Sequence, residues 1–405
     1  MKIAVFGVPR SGKDFLAKHI HNFRHIKGSA FLNERSSGKF KNLPEEKKVK
    51  LRKDFIEYIN TQNDSNIVVD GHYSFPNNNG GYDIVFTKND GDCYDKFIYL
   101  DTSAEEILKR MSENEKNKIY QSLSNDEIER WKKFEINALR KECFSRNKEF
   151  IIFDDDFSLH TKFITLMSNG SAYADSYGAA KEIADTINKA SGNTSTICLL
   201  DCDRTLSKND TTTDFLKTAG IEQTILAEIF KGSRYSSYQF WKAASMYADI
   251  EDYGQYCQIA AKKANMNRRL INDLNMIPDS YKVGLTAGIY KVWNIIKDRE
   301  GFLDVVFGGS NTRTDNRVIS DMTKGYAAKI LREQGKKIIA VGDSMTDLLM
   351  LENADNGYVI AEEKKSASLQ DYFTHKKTSI RQPAYNSYSF EGIKTVRSIH
   401  EDTRA

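Results

Sequence analysis

Cysteine is scarce in this sequence, and long apolar runs are missing from it. The five cysteines are scattered over 405 residues, odd in number and without a C-x-x-C pair. This pattern argues against a disulfide framework and a structural zinc site, and it favours a reduced, cytoplasmic protein. No apolar run approaches the roughly 18 residues that a membrane-spanning helix requires, so no membrane partner is expected.

A large excess of charge of either sign is missing as well. The 59 lysine and arginine residues face 56 aspartate and glutamate residues, which leaves a formal net charge of +3. Nucleic acid is therefore a possible but not a favoured partner, although a local basic face stays open. At about 100–200 residues per domain, the length predicts two or three domains. The sequence leaves the oligomeric state open.

Short apolar runs alternate with helical patterns in two successive series. This alternation predicts an α/β fold class with two doubly wound parallel-sheet domains. We place the boundary at about residue 192, so the expected domains are residues 1–192 and 193–405, joined through the segment 156–193. The strands of the first series are expected at Ile3–Phe6, Ile67–Val69, Phe97–Leu100 and Phe150–Phe153. Those of the second are expected at Thr196–Leu200, Lys282–Leu285, Asp304–Phe307, Lys337–Val341 and Gly357–Ile360.

An Asp-x-Asp-x-Thr motif follows the first strand of the second series, with acids at Asp201 and Asp203. Ligands of parallel sheets bind beyond the carboxyl ends of the strands, where both acids lie. Two carboxylates at i and i+2 on an extended segment fall on one side. One can attack phosphorus while the other handles a proton, but the pair would repel unless a cation lay nearby.

Three further motifs follow in order. Thr286 closes a strand with a hydroxyl group suited to a phosphate oxygen, and Lys324 follows within Met322–Ala328. Asp343 and Asp347 come directly after the apolar strand at Lys337–Val341. Their carboxylates are suited to magnesium, a hard cation that prefers oxygen ligands.

This ordered set, over about residues 195–365, resembles the haloacid-dehalogenase superfamily, particularly its phosphoserine-phosphatase-like branch. The resemblance implies a Rossmann-like core and a phosphatase in which Asp201 is the nucleophile that forms an aspartyl-phosphate. It implies that Asp203 is general acid and then base, and that Thr286 and Lys324 stabilise the phosphoryl group.

The same resemblance implies a magnesium site. Asp343, Asp201 and the backbone carbonyl of Asp203 would hold Mg²⁺, and Asp347 would support the site.

More than seventy residues with helical periodicity separate Thr205 from Lys282. This insertion, at about residues 209–281, resembles the helical cap that selects the substrate in that superfamily. We expect most of its many aromatic side chains to pack within the cap. Its candidates for substrate contacts are Arg234, Arg268 and Arg269. Phosphoserine-specific relatives carry a glutamate shortly after the first motif, and its absence here argues against phosphoserine.

Residues 7–14 match the G-x-x-x-x-G-K pattern of a phosphate-binding loop, between a strand and the helical pattern Asp14–Phe23. The apolar stretch before the loop is too short for a signal peptide. Glycines expose N–H groups, the helix begins with a positive end, and Lys13 reaches the β/γ-phosphates. The pattern therefore predicts a site for ATP or GTP, formed by Gly7, Arg10, Ser11, Gly12, Lys13 and Asp14.

Asp14 departs from this pattern, because a serine or threonine that ligates magnesium usually follows the lysine. An inactive kinase therefore stays an alternative. The elements Asp70–His72, Glu105–Arg110 and Asn125–Arg146 resemble archaeal-type adenylate kinases over about residues 1–190. Those kinases have an arginine-rich lid, whereas this chain has Lys116 and Lys118, which argues against AMP as acceptor.

Three functions are compatible with these motifs. The first is a bifunctional enzyme, a magnesium-dependent phosphatase fused to a kinase-like domain, acting on nucleotides or other small phosphorylated metabolites. The second is nucleic-acid end repair, because phage polynucleotide kinase-phosphatases join the same two superfamilies in the same order. The third is a phosphatase regulated by a P-loop domain that only senses the nucleotide. The large cap favours small substrates over a nucleic-acid end.

Overall fold

Two compact units, residues 1–170 and 171–405, make up the chain in the computed structural model. Both are built on mainly parallel sheets with helices between the strands, so the expected α/β fold class is confirmed. The structure describes residues 1–63, 66–113, 123–232, 234–309, 317–360, 368–369, 372 and 393–395.

The first unit contains a five-stranded parallel sheet in the order β2-β3-β1-β6-β7. Its strands are β1 (Lys2–Phe6), β2 (Arg24–Lys27), β3 (Ile67–Asp70), β6 (Lys96–Leu100) and β7 (Glu149–Phe153). A separate antiparallel hairpin consists of β4 (Ser74–Pro76) and β5 (Tyr82–Ile84). The central strands are apolar and almost entirely buried, as expected for a sheet covered on both faces.

Seven helices accompany this sheet within the described residues of the first unit. They are α1 (Lys13–His19), α2 (Gly28–Arg35), α3 (Glu45–Thr61), α4 (Lys88–Cys93), α5 (Ala104–Ser112), α6 (Asn125–Ser145) and α7 (Phe157–Ser168). Helix α1 is shorter than the predicted helix Asp14–Phe23, because it ends at His19 and strand β2 begins at Arg24. Strand β2 was not expected, because only Ile26 in it is both apolar and buried.

The second unit contains a six-stranded sheet in the order β10-β9-β8-β11-β12-β13. Its strands are β8 (Thr196–Asp201), β9 (Ser280–Ile289), β10 (Val305–Gly309), β11 (Lys337–Gly342), β12 (Asn356–Ile360) and β13 (Ile393–Thr395). All pairs are parallel except β12 with β13 at the edge. The central position of β8 places the Asp-x-Asp motif in the middle of the carboxyl edge.

Five helices lie between β8 and β9, in the segment expected to form a cap. They are α9 (Thr211–Thr218), α10 (Thr224–Ile229), α11 (Ser237–Ala248), α12 (Tyr253–Lys263) and α13 (Arg268–Asn275). Three more helices follow: α14 (Tyr290–Glu300), α15 (Asp321–Glu333) and α16 (Leu348–Asn353). The helical character of the insertion agrees with its sequence pattern.

Helix α8 (Ser176–Ser191) belongs to the second unit, which therefore begins before the expected boundary at residue 192. It packs along α15, where Ser176 Oγ lies 3.0 Å from Ser320 Oγ and the rings of Tyr177 and Tyr326 meet edge to face. The segment 156–193, expected to join the two domains, thus contains a helix that packs on α15 of the second unit.

Within the described ranges, no helix is both long enough and apolar enough to cross a bilayer. All five cysteines lie in those ranges and are buried, and none of them forms a disulfide.

Helix α8 provides a test of where the second unit begins. Ile183 and Ile187 are 0% exposed. At about 1.5–3 kcal/mol for each buried side chain, a fragment of residues 193–405 should be about 3–6 kcal/mol less stable than one of residues 171–405. Thermal unfolding followed by circular dichroism should show a cooperative transition for the longer fragment and a much lower midpoint for the shorter one. Equal midpoints would contradict this division.

Candidate active site and nucleotide-binding loop

Three adjacent strands of the second sheet bring the predicted phosphatase residues together. Asp201 ends β8, and its backbone pairs with Leu285 of β9, next to Thr286. On the other side β8 pairs with β11, after which Asp343 follows. Because the strands are parallel, all three side chains lie at one edge of the sheet.

Lys324 reaches this edge from helix α15 and is completely buried. Its Nζ donates hydrogen bonds to Asp201 Oδ1 at 2.6 Å and to Asp347 Oδ1 at 2.7 Å. Burial lowers the pKa of Lys324, but the two carboxylates outweigh burial and raise the pKa above its usual value. Lys324 is therefore a permanent cation in the site.

Asp347 is also held by the turn that follows β11. Its Oδ2 accepts backbone hydrogen bonds from Asp343 and Ser344, both at 3.1 Å. Gly342 makes this turn possible, because a Cβ there would lie 2.5 Å from two atoms of Asp347. Asp347 thus fixes both the lysine and the turn that carries Asp343.

The carboxylates of Asp201, Asp343 and Asp347 are suited to a metal ion. One oxygen from each lies within 4.8 Å of the others, and all three residues are buried. Among the described residues, Asp343 Oδ2 has no hydrogen-bond partner. Three acids around one lysine leave excess negative charge, and an oxygen without a partner leaves room for a ligand bond, so the residues fit a hard divalent cation.

The pKa values of these acids reflect the same crowding. Burial first, and then the charge of Asp347, raise the pKa of Asp201 to about 6 despite the neighbouring Lys324. Burial, followed by the charges of Asp201 and Asp347, raises the pKa of Asp343 to about 9. A cation bound between them would favour the ionised forms.

Asp203 lies apart from this cluster and is held by uncharged donors. Its Oδ1 accepts from the backbone N–H and the hydroxyl of Thr211, both at 2.7 Å. Its Oδ2 accepts from Trp293 Nε1 at 3.1 Å and from Thr286 Oγ1 at 3.5 Å. Burial and then the charge of Asp210 raise its pKa to about 7, against the donors of Thr211. A proton held near neutral pH suits an acid–base group.

Sequence reasoning missed Thr211 and Trp293, and no motif singles them out. Thr211 is an ordinary residue at the start of α9, and Trp293 has the apolar spacing of a core residue in α14. Only the folded chain brings both to Asp203.

The aromatic residues of the inserted helices serve mainly in packing, as expected. The fully or nearly buried ones are Phe215, Tyr238, Phe240, Trp241 and Tyr247. Among the candidate arginines, Arg268 pairs with Glu300 Oε2 at 2.5 Å, which argues against a substrate contact by this residue.

The glycine-rich loop of the first unit runs from the end of β1 to the start of α1. Gly7 and Gly12 have φ angles of 151° and 101°, and Arg10, at 71°, is also left-handed. A Cβ at Gly7 would lie 2.6 Å from Ser11 Oγ. The conformation of this loop therefore depends on glycine at Gly7 and Gly12.

Lys13 is buried and folded back on its own loop. Its Nζ donates to the carbonyls of Gly7 at 2.6 Å and Val8 at 2.9 Å. Burial lowers the pKa of Lys13 to about 8, opposed by the charges of Glu135, Asp70 and Asp14. Neutral carbonyls are weak partners for an ammonium group, so a phosphate could replace them.

Asp14 contacts a cation supplied by the protein itself. Its Oδ2 lies 2.7 Å from Lys27 Nζ, on the unexpected strand β2. The same strand brings His25 to Asp70, with Nε2 at 2.7 Å from Oδ1. Asp14, His25 and Asp70 together form a second group whose ligand atoms could hold a metal ion.

A cleft of about 1780 Å³ opens beside the loop within the first unit. The loop and α1 contribute Arg10, Lys13 and Asp14, and the end of β3 contributes Asp70 and His72. Burial and the charge of Lys13 lower the pKa of His72, so its ring is neutral. The lid residues Lys116 and Lys118 lie outside the described part of the chain.

Comparison with known families bears on the first unit. Residues 6–132 match the family model of an AAA domain. The expected resemblance of the N-terminal part to P-loop kinase-like proteins is thereby confirmed. No curated protein sequence shows a significant match to the chain.

Several solved structures are distantly similar in fold. A HAD family hydrolase from Salmonella enterica serovar Typhi has 19% identity and a TM-score of 0.34, covering 40% of this chain and 61% of that chain, less than two thirds of its length. A phosphoserine phosphatase with a phospho-aspartyl intermediate analogue has 22% identity and a TM-score of 0.33, with 42% and 87% covered. A chain of the Pnkp1/Rnl/Hen1 RNA repair complex has 13% identity and a TM-score of 0.24, with 86% and 91% covered. Likenesses this distant identify no substrate.

The acidic cluster makes a testable link between magnesium and pH. The pKa of Asp343 lies near 9 in the metal-free fold and about 3.9 when unfolded. The free energy of unfolding of the metal-free protein should therefore fall as pH rises through this window. Mg²⁺ binds the ionised form, so the increase in melting temperature that it causes should grow over the same window.

Thermal denaturation without nucleotide, with and without Mg²⁺ at several pH values, measures both effects. Asp343→Asn should lose most of the Mg²⁺-dependent increase, whereas Asp298→Asn, a surface acid in the same unit, should keep it. A Mg²⁺ effect that is independent of pH and of Asp343 would rule out this site.

Proposed function

We propose that residues 171–405 are a magnesium-dependent phosphomonoesterase acting on small phosphorylated metabolites, with nucleotides the first candidates. The observation that carries this proposal is the buried arrangement of Asp201, Lys324, Asp343 and Asp347, with Asp203 held separately. A nucleophile near a cation site and an acid with a pKa of about 7 are the two groups that phosphate ester cleavage needs.

The first step forms a bond between an Asp201 oxygen and phosphorus. The bond from phosphorus to the ester oxygen breaks, and the protonated Asp203 gives its proton to the leaving alkoxide. Lys324 keeps one Asp201 oxygen in place, so the other can face the substrate. Thr286 supplies a hydroxyl donor for a phosphoryl oxygen.

The second step releases phosphate. A water oxygen attacks phosphorus of the aspartyl-phosphate, Asp203 takes the water proton, and the bond to Asp201 breaks. Mg²⁺ held by Asp201, Asp343 and the carbonyl of Asp203 would offset the negative charge of the phosphoryl group.

The inserted helices favour small substrates. Five helices between β8 and β9 lie where enzymes of the superfamily that this unit resembles carry a cap, and a cap limits access to an extended strand.

The five buried cysteines, which form no disulfide, suit a reduced cytoplasmic environment.

Residues 1–170 bind ATP or GTP in this proposal, through Gly7, Arg10, Ser11, Gly12, Lys13 and Asp14. The adjoining cleft has room for a second substrate, which makes phosphoryl transfer the first hypothesis for this unit. The ion pair of Asp14 with Lys27 favours the alternative of a unit that senses the nucleotide without turnover, because the carboxylate already has a cation partner. Nucleic-acid end repair is the third alternative.

Asp201→Asn should abolish phosphatase activity while leaving the fold intact, because the amide is nearly isosteric but is a poor nucleophile. Hydrolysis of p-nitrophenyl phosphate should fall at least about a thousandfold, since the covalent step is lost. Asp304→Asn, a change outside the acidic cluster, serves as control. Residual activity within tenfold of the unchanged protein would contradict the assignment of Asp201.

Lys13→Ala should remove most of the affinity for ATP and GTP, because the charge facing the triphosphate is lost. Calorimetric titration of the full-length protein with magnesium present measures this, and Lys18→Ala on the same helix is a matched control. No heat from the unchanged protein at millimolar nucleotide would refute the nucleotide site.

Asp14→Ser separates the alternatives for the first unit. If binding persists and ATP turnover appears or rises with a nucleoside monophosphate or a 5′-hydroxyl oligonucleotide, the unit is a kinase and the acceptor is identified. Binding without turnover in both proteins supports the nucleotide sensor.

A further inference from the structure

The Asp203 carboxylate is held from two different helices of the second unit. Thr211, the first residue of α9, donates its N–H and its hydroxyl to Oδ1, both at 2.7 Å. Trp293, in α14, donates its indole N–H to Oδ2 at 3.1 Å. Each carboxylate oxygen therefore has a donor of its own, so rotation about the side-chain bonds would break a hydrogen bond.

Both donors are themselves buried. Thr211 and Trp293 are 0% exposed, and the Trp293 ring packs in the hydrophobic core between the sheet and the inserted helices. An indole N–H can only donate, and a buried donor without an acceptor is costly. The direction of the Trp293 N–H, and with it the position of Oδ2, is fixed by packing.

The backbone at Gly288 lies close beside Oδ2. A Cβ at Gly288 would lie 2.9 Å from Asp203 Oδ2 and 2.5 Å from Thr212 Oγ1. The buried Thr212 hydroxyl has no hydrogen-bond partner among the described residues. The position of Gly288 therefore requires glycine, because a side chain here would displace Asp203 or Thr212.

We propose that Trp293 and Thr211 are positioning residues for the acid–base step, holding the Asp203 carboxylate in one orientation. The inference rests on the proposed role of Asp203 as proton donor to the leaving oxygen. Proton transfer requires the two oxygens to approach to about 2.6–3.2 Å, which a freely rotating carboxylate seldom satisfies. The two donors restrict Asp203 to that orientation.

The test depends on the leaving group. An alkyl phosphate such as glycerol 2-phosphate loses a strongly basic alkoxide, which needs the proton from Asp203. The dinitrophenolate of 2,4-dinitrophenyl phosphate leaves without a proton. Because kcat/KM covers only the steps up to formation of the aspartyl-phosphate, the later role of Asp203 as base does not enter the comparison.

Trp293→Phe should lower kcat/KM for the alkyl phosphate about tenfold or more, a typical effect of losing a hydrogen bond to a charged group. The value for the dinitrophenyl ester should stay within about twofold. Thr211→Val should likewise lower kcat/KM for the alkyl phosphate but not for the dinitrophenyl ester. Thr211→Ser, which keeps the hydroxyl, should restore kcat/KM for the alkyl phosphate. Trp241→Phe removes another buried indole of this unit and should show no dependence on the leaving group.

Asp203→Asn separates failure of the inference from failure of the proposed function. If kcat/KM of this variant falls equally for both substrates, Asp203 is not the acid, and the inference is overturned with the proposal on which it rests. If Asp203→Asn lowers kcat/KM selectively for the alkyl phosphate but Trp293→Phe and Thr211→Val do not, only the positioning role is overturned. Should Trp293→Phe fail to fold by circular dichroism, the Thr211→Val and Thr211→Ser pair decides.

Discussion

The buried ammonium of Lys324, between Asp201 and Asp347, is the contact on which the candidate phosphatase site depends. Desolvation of a lone ammonium would cost several kcal/mol, so Lys324 stays charged only with both carboxylates in place. The carboxylates need the lysine equally, because they would otherwise repel across the strand ends. Asp343 adds a third acid to this balance, and the remaining negative charge makes these residues suited to a cation.

Each of the two candidate phosphate sites contains a buried lysine, and the surroundings shift the pKa values of the two lysines in opposite directions. Lys13 contacts neutral carbonyls, so burial dominates and its pKa is lowered to about 8. Lys324 contacts carboxylates, which outweigh burial and raise its pKa. Lys13 has only neutral carbonyl partners, which suits a group proposed to bind phosphate, whereas Lys324 is held by two carboxylates and orients Asp201, the proposed nucleophile.

Features that depend on residues close together in the chain could be predicted from the sequence, whereas features that depend on distant partners could not. Strands such as β1, β8 and β11 are apolar runs that the sequence alone predicts. The acids that follow β8 and β11 lie at the carboxyl edge of the sheet, as parallel strands require. Strand β2 could not be predicted from its own residues, because it is a mostly polar edge strand. It is stabilised by pairing with β3, some forty residues further along the chain. His25 and Lys27, which surround Asp14 and Asp70, were missed with it.

The sequence by itself determined the α/β class, the order of the two candidate phosphate-binding motifs and the positions of the acids Asp201, Asp203, Asp343 and Asp347 at strand ends. Each is encoded locally, by apolar runs followed by polar strand ends or glycines. The tertiary structure alone decided that α8 packs on α15, that Lys27 pairs with Asp14, and that Thr211 and Trp293 hold Asp203. These contacts join residues far apart in the chain, and neither spacing nor composition encodes which side chains meet when the hydrophobic cores pack.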